Sequence, residues 1–171
     1  MKIIFTILVL VLPFVLNAQD AETRCRALNL DFPELTSPVA NYAHAVRAGN
    51  LLFLAGKGPT LLDGTFITGK VGQDLTIEQG YDAARRVGIM QIAVLKKELG
   101  DLNRVKRIVK VLGMVNATTA FTDHSKVMNG YSDLMVEVFG EKGLHARSSV
   151  GMCSLPFNIA VEVEMIVEIE D

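Results

Sequence analysis

Arg147 and Glu162 are the two residues of this chain whose chemistry is most readily put to use. They stand fifteen positions apart, each inside an alternating run, on either side of Leu155-Pro156-Phe157-Asn158. A guanidinium can clamp a carboxylate through paired hydrogen bonds, and a glutamate can take a proton and return it. In the second run Val161, Val163, Met165, Val167 and Ile169 point one way, while Glu162, Glu164, Glu168 and Glu170 point the other, interrupted by Ile166. One strand face is therefore core and the other acidic. In the first run Arg147 and Ser149 share a face. Pairing the two runs as neighbouring strands would bring Arg147 and Glu162 to one side of a sheet. The same two residues would also serve as a structural ion pair at a subunit contact, so periodicity alone leaves both roles open.

Other constellations fall away on geometry. Asp123-His124-Ser125 has the letters of a hydrolytic triad. Adjacent residues cannot nest a base between nucleophile and acid, and helix capping is the simpler role. His44, His124 and His145 are far apart and no Cys pair has ligand spacing, so no metal is expected. Lys57 and Lys70 sit among glycines, but neither is followed by the Ser or Thr and helix start that a phosphate loop needs, and both read as turns. Asn116-Ala117-Thr118 is a glycosylation sequon, which marks a surface loop.

The elements that must position Arg147 and Glu162 follow from the rest of the pattern. Residues 41–47 and 51–55 read as a hairpin about Ala48-Gly49-Asn50, ending at Gly56, with a short strand at 65–67. Thr76 and Gln79 form a capping box for a helix whose stripe is Tyr81, Ala84, Gly88, Ile92, Leu95 and Leu99, closed by Gly100. Small Ala84 and Gly88 would let it lie close against a sheet. A central strand spans 105–115, with Val105, Arg107, Val109 and Val111 alternating against Lys106, Ile108, Lys110 and Leu112. A second helix enters at Thr122-Asp123, carries Val127, Tyr131, Leu134 and Val138, and ends at Gly140 or Gly143. The sum is an α+β domain, a mixed sheet with two helices on one face. Its other face is too polar for a core and too apolar for water, so burial against copies of itself is expected.

A length of 171 residues with half of them hydrophobic and 21% charged suits one domain. The net charge of −2 with scattered Lys and Arg gives no nucleic-acid footprint. Lys2 followed by an apolar run to Leu16 and then Asn17-Ala18 has the layout of a secretory signal, cleaved after Ala18, and too short to span a bilayer. That divides the chain into a signal (1–18), a leader over the domain surface (19–38) and a domain (39–171). The mature protein is expected to be secreted or periplasmic, with no membrane association. Cys25 and Cys153 are read as two unpaired thiols in preference to a bridge.

With these residues in place, Ala146-Arg147-Ser148-Ser149-Val150, Leu155-Pro156 and Val161-Glu162-Val163-Glu164 resemble the C-terminal signature of the reactive intermediate deaminase family, also called Rid or YjgF. The likeness runs upstream through Asn129, Gly56 and Tyr42. It implies a chorismate-mutase-like fold, a homotrimeric barrel with clefts between subunits, and cofactor-free hydrolysis of enamines and imines to 2-oxo acids and ammonia. By that resemblance Arg147 would bind the substrate carboxylate with help from the Ser149 backbone, and Glu162 would handle water and proton. Tyr42, Gly56 and Asn129 would line the cleft. Ser149 stands where Cys is frequent, Ala55 where a hydroxyl residue is usual, and Lys57 where Gln is common. The link from Gly113 to His124 is also longer than usual, which places the chain in a divergent subgroup. The alternatives are a non-catalytic trimer that binds a small carboxylate and, less favoured by the acidic composition, a ribonuclease.

Overall fold

The alternation of Val161, Val163, Met165, Val167 and Ile169 with charged neighbours makes β5 (Val161–Ile169) the strand around which the sheet is laid. Its odd positions are buried and its even ones line the opposite face. The computed structural model describes residues 20–36 and 40–170. The expected signal segment 1–18, with its cleavage point after Ala18, lies outside them.

The sheet has five strands in the order β1-β2-β5-β3-β4, with β1 Ala45–Ala48, β2 Leu51–Lys57, β3 Val105–Asn116 and β4 Ala146–Met152. The helices explain this order. α2 (Ile77–Leu99) carries the chain from β2 to β3, and α3 (His124–Phe139) carries it from β3 to β4, so each pair runs parallel, as crossover connections require. β4 lies directly against β3, Arg147 opposite Val111, while a gap is left between β2 and β3. β5 fills that gap, antiparallel to both. The mixed sheet expected from the sequence is present. The expected pairing of the last two strands is not, because β3 stands between them.

Three further expectations are corrected. The alternation expected in β3 is broken by register shifts after Val105 and after Ile108, so Val105, Ile108, Val111, Gly113 and Val115 turn inward. In place of the strand expected at 65–67 there are isolated bridges, Phe66 to Thr60 and, just beyond, Thr68 to Ile159. Residues Ala21–Ala27 of the supposed leader form a helix, α1, capped by Asp20, with Cys25 in the core. Glu22 ties it down through Lys96 at 2.8 Å and the Leu102 amide at 3.1 Å.

α2 begins with the reciprocal Thr76–Gln79 capping box and ends at Gly100 in positive φ. Gly88 faces Leu134 and Met135 of α3, so its smallness serves helix packing and not, as expected, an approach to the sheet. Asn116, at the end of β3, is fully buried, its amide donating to Asn158 Oδ1 and the Ile159 carbonyl, so the sequon is no surface mark. Lys70 Nζ donates to Asn116 Oδ1 at 2.8 Å and to the Cys153 carbonyl, a structural role within its turn. Both cysteines are free, Cys25 buried and Cys153 exposed.

Candidate functional site

Glu162 is the second residue of β5, on the face turned away from the helices, opposite Met114 of β3. At this level β2 peels away from β5, for the register shifts between Leu54 and Lys57. Two strand carbonyls there accept from a helix side chain. Gln91 of α2, fully buried, sends its amide to both, at 3.2 Å to Ala55 O and 2.8 Å to Val163 O. A buried carbonyl without a donor costs stability, so this side chain holds the two strands in their parted arrangement.

The parting lets Gly56 face the Glu162 carboxyl. A Cβ at position 56 would stand 2.1 Å from Glu162 Oε1, so the position must be glycine for the carboxyl to lie where it does. A cavity of about 370 Å³ opens here, reached by Glu162, Tyr42, His44, Gly56 and Lys57, with Phe66, Met90, Phe157 and Ile159 as apolar wall. Phe66 and Phe157 stack with centroids 6.1 Å apart at the rim. Burial, and then the nearby Glu164, push the Glu162 carboxyl above its usual range, with Lys57 opposing them. The result is an acid held ready to exchange a proton beside an apolar wall.

Lys57 and His44 complete the pocket. Lys57 Nζ lies 2.9 Å from His44 Nδ1, and His44 Nε2 lies 2.8 Å from the Thr36 carbonyl. The Tyr42 ring sits over Lys57, its centroid 5.9 Å from Nζ. Burial depresses the Lys57 amine, with Glu162 acting the other way. Neither Lys57 nor His44 was picked out from the sequence as a site residue. The strand expected over 41–47 begins only at Ala45, so Tyr42 and His44 lie in the segment that runs into β1, and Lys57 follows Gly56 directly as the last residue of β2.

Arg147 lies elsewhere. On β4 it faces α3, donating to Ser132 Oγ at 2.9 Å, Asn129 Oδ1 at 3.1 Å and the Ser125 carbonyl at 3.3 Å. Among the described residues no carboxylate forms an ion pair with it. Ser149 shares its face, with a buried Oγ that has no hydrogen-bond partner among the described residues. His145 closes the group, its Nε2 3.0 Å from Ser132 Oγ, its basicity lowered by burial.

The six residues singled out in the sequence therefore fall into two groups on opposite faces of one sheet. Glu162, Gly56 and Tyr42 gather in the cavity. Arg147, Asn129 and Ser149 gather between β4 and α3. Within one chain Arg147 and Glu162 cannot act on one small molecule. β4 is an edge strand, however, so its group lies where a second copy can approach.

Among the described residues no three His, Cys, Asp or Glu side chains converge as a metal would need. No helix among them is long and apolar enough to cross a membrane. Residues 22–169 match the family described as "YjgF/chorismate mutase-like, putative endoribonuclease". Protein TCP17 of Trypanosoma cruzi is 41% identical, the match covering 84% of this chain and 91% of TCP17. A 2-iminobutanoate/2-iminopropanoate deaminase of Dermatophagoides farinae is 27% identical over 81% of this chain and 93% of its own. The crystal structure of Atu1372, a protein with unknown function from Agrobacterium tumefaciens, superposes with a TM-score of 0.81 at 38% identity, covering 88% of this chain and 94% of that one.

Proposed function

The chain belongs to the YjgF/chorismate mutase-like family, and from that premise we propose that it hydrolyses small enamine and imine intermediates to 2-oxo acids and ammonia in a homotrimer. Glu162 of one subunit works with Arg147 of the next, across a cleft between them. The observation that carries this reading is the Glu162 carboxyl, raised above its ordinary range and pressed against Gly56 in a half-apolar cavity. Such a group takes a proton from water as the oxygen attacks the imine carbon. It returns that proton to nitrogen as the C–N bond breaks and ammonia leaves. A guanidinium without a carboxylate of its own, on an edge strand, supplies the counter-charge for the substrate carboxylate.

The assembly is supported by the sheet face that carries Glu162. Val46, Phe53 and Val150 are exposed on it, beside Ile166, Lys110 and Glu164, a mixture that closes best against copies of itself.

The test follows 2-iminobutyrate, generated in situ, with wild type, Glu162→Gln and Arg147→Ala. Wild type is expected to speed its decay, and each variant to lose on the order of a hundredfold of that acceleration. Equal decay with and without wild type would overturn the hydrolase reading. Carboxylate binding without turnover, lost in Arg147→Ala, would make the protein a binding trimer.

A further inference from the structure

We propose that Lys57 is a covalent nucleophile, its amine condensing with C2 of a small 2-oxo or 2-imino acid in the Glu162 cavity, with His44 as its base. The proposal deepens the imine-hydrolase reading and rests on it for the substrate class, but it puts attack by the lysine before attack by water. Glu162 thus first gives a proton to the departing group and then takes one from the water that releases the product.

The hydrogen-bond chain supplies the argument. A carbonyl oxygen only accepts, so the contact to Thr36 assigns the proton of His44 to Nε2. Nδ1 then presents its lone pair to Lys57 Nζ at 2.9 Å. A nucleophile within hydrogen-bond reach of a base, and a base oriented by a third group, is the arrangement of activated nucleophiles. Lys57 is 8% exposed, and among the described residues no carboxylate lies within ion-pair distance of it. A buried structural lysine is expected to be held by oxygens. Lys70, half-buried, is held by oxygens in this way, donating to Asn116 Oδ1 and the Cys153 carbonyl. Lys57 instead donates to a base, under the Tyr42 ring and beside the apolar wall, where its uncharged amine is favoured.

The chemistry balances without an oxidant or reductant. His44 Nδ1 takes a proton from Lys57, and the free amine attacks C2 of the ligand. Glu162, in its protonated form, gives a proton to the group that departs. From a 2-oxo acid that group leaves as water, and from a 2-imino acid it leaves as ammonia. Either way C2 becomes double-bonded to Lys57 Nζ. Glu162, now a carboxylate, takes a proton from the water that adds to C2, the C–N bond breaks to release the 2-oxo acid, and His44 returns its proton to the freed lysine amine.

Borohydride trapping tests this directly. The full-length protein is incubated with 2-oxobutyrate, or with 2-iminobutyrate generated in situ, then reduced with sodium borohydride and analysed by intact mass and peptide mapping. The expected result is one reduced adduct per chain, on Lys57, absent from Lys57→Arg and Lys57→Gln. His44→Asn should slow adduct formation on the order of a hundredfold, the usual share of a general base. Far-UV circular dichroism checks that each variant is folded, and mapping of the wild-type adduct decides the question even where a variant is not. No adduct on wild type, or an adduct confined to other lysines, overturns the proposal. Imine hydrolysis by wild type with no adduct overturns the lysine's role while leaving the hydrolase reading intact. An adduct on Lys57 without imine hydrolysis upholds the lysine chemistry and removes the hydrolase reading.

Discussion

A single methyl group at position 56 should separate folding from activity. Gly56→Ala places a Cβ 2.1 Å from Glu162 Oε1, so the carboxyl must swing away. Misplacement on that scale costs about a hundredfold in rate, and kcat/KM for imine decay should fall by that order while the circular dichroism spectrum is kept. Glu162 also sets two pH dependences. Its folded pKa is raised by burial, and next by Glu164, so its favourable share of stability is present below the ordinary carboxylate range and lost as pH rises through the folded pKa. Glu162→Gln should thus match wild type in thermal midpoint at low pH and exceed it above that point, as thermal unfolding across pH would show. Removing the neighbouring charge in Glu164→Gln should move the acid limb of the rate profile to lower pH. Glu162, Gly56 and Tyr42 were legible because strand alternation and family resemblance both act over short stretches. His44 and Lys57 were not, because their significance is one hydrogen bond across a hairpin, which no spacing encodes.

At the scale of elements, the parted strands depend on one amide. Gln91→Leu keeps the volume and removes the amide donors to the Ala55 and Val163 carbonyls. Urea unfolding should show a loss of about 2 kcal/mol. The α2–α3 contact is tighter still, since a Cβ at Gly130 would stand 2.0 Å from the Tyr81 carbonyl oxygen. Backbone cannot yield as a side chain does, and Gly130→Ala should cost about 3 kcal/mol by the same measurement. Both helix stripes and the capping box were readable, because helical periodicity repeats over many residues and caps are local. The place of β4 was not. Which strand lies beside which is decided by the α3 crossover and the gap that β5 fills, and a turn at Leu155–Asn158 looks the same whether it closes a hairpin or passes over a strand. The inward set of β3 was misread for a related reason, since two register shifts leave no mark in composition.

At the scale of the molecule, the two halves of the candidate site lie on opposite faces of a single sheet, and the proposed trimer is what would bring them together. The sequence showed a half-polar face that no monomer would leave open, yet it could not show that Arg147 and Glu162 part company within a chain. Subunit mixing tests that central claim. Arg147→Ala keeps Glu162, and Glu162→Gln keeps Arg147. Each variant alone should be nearly inactive toward 2-iminobutyrate. After dissociation, equal mixing and reassembly, about a quarter of the interfaces would join an intact Glu162 to an intact Arg147, so about a quarter of the wild-type rate should return. No return of activity in mixtures shown to have exchanged subunits would contradict a site shared between copies.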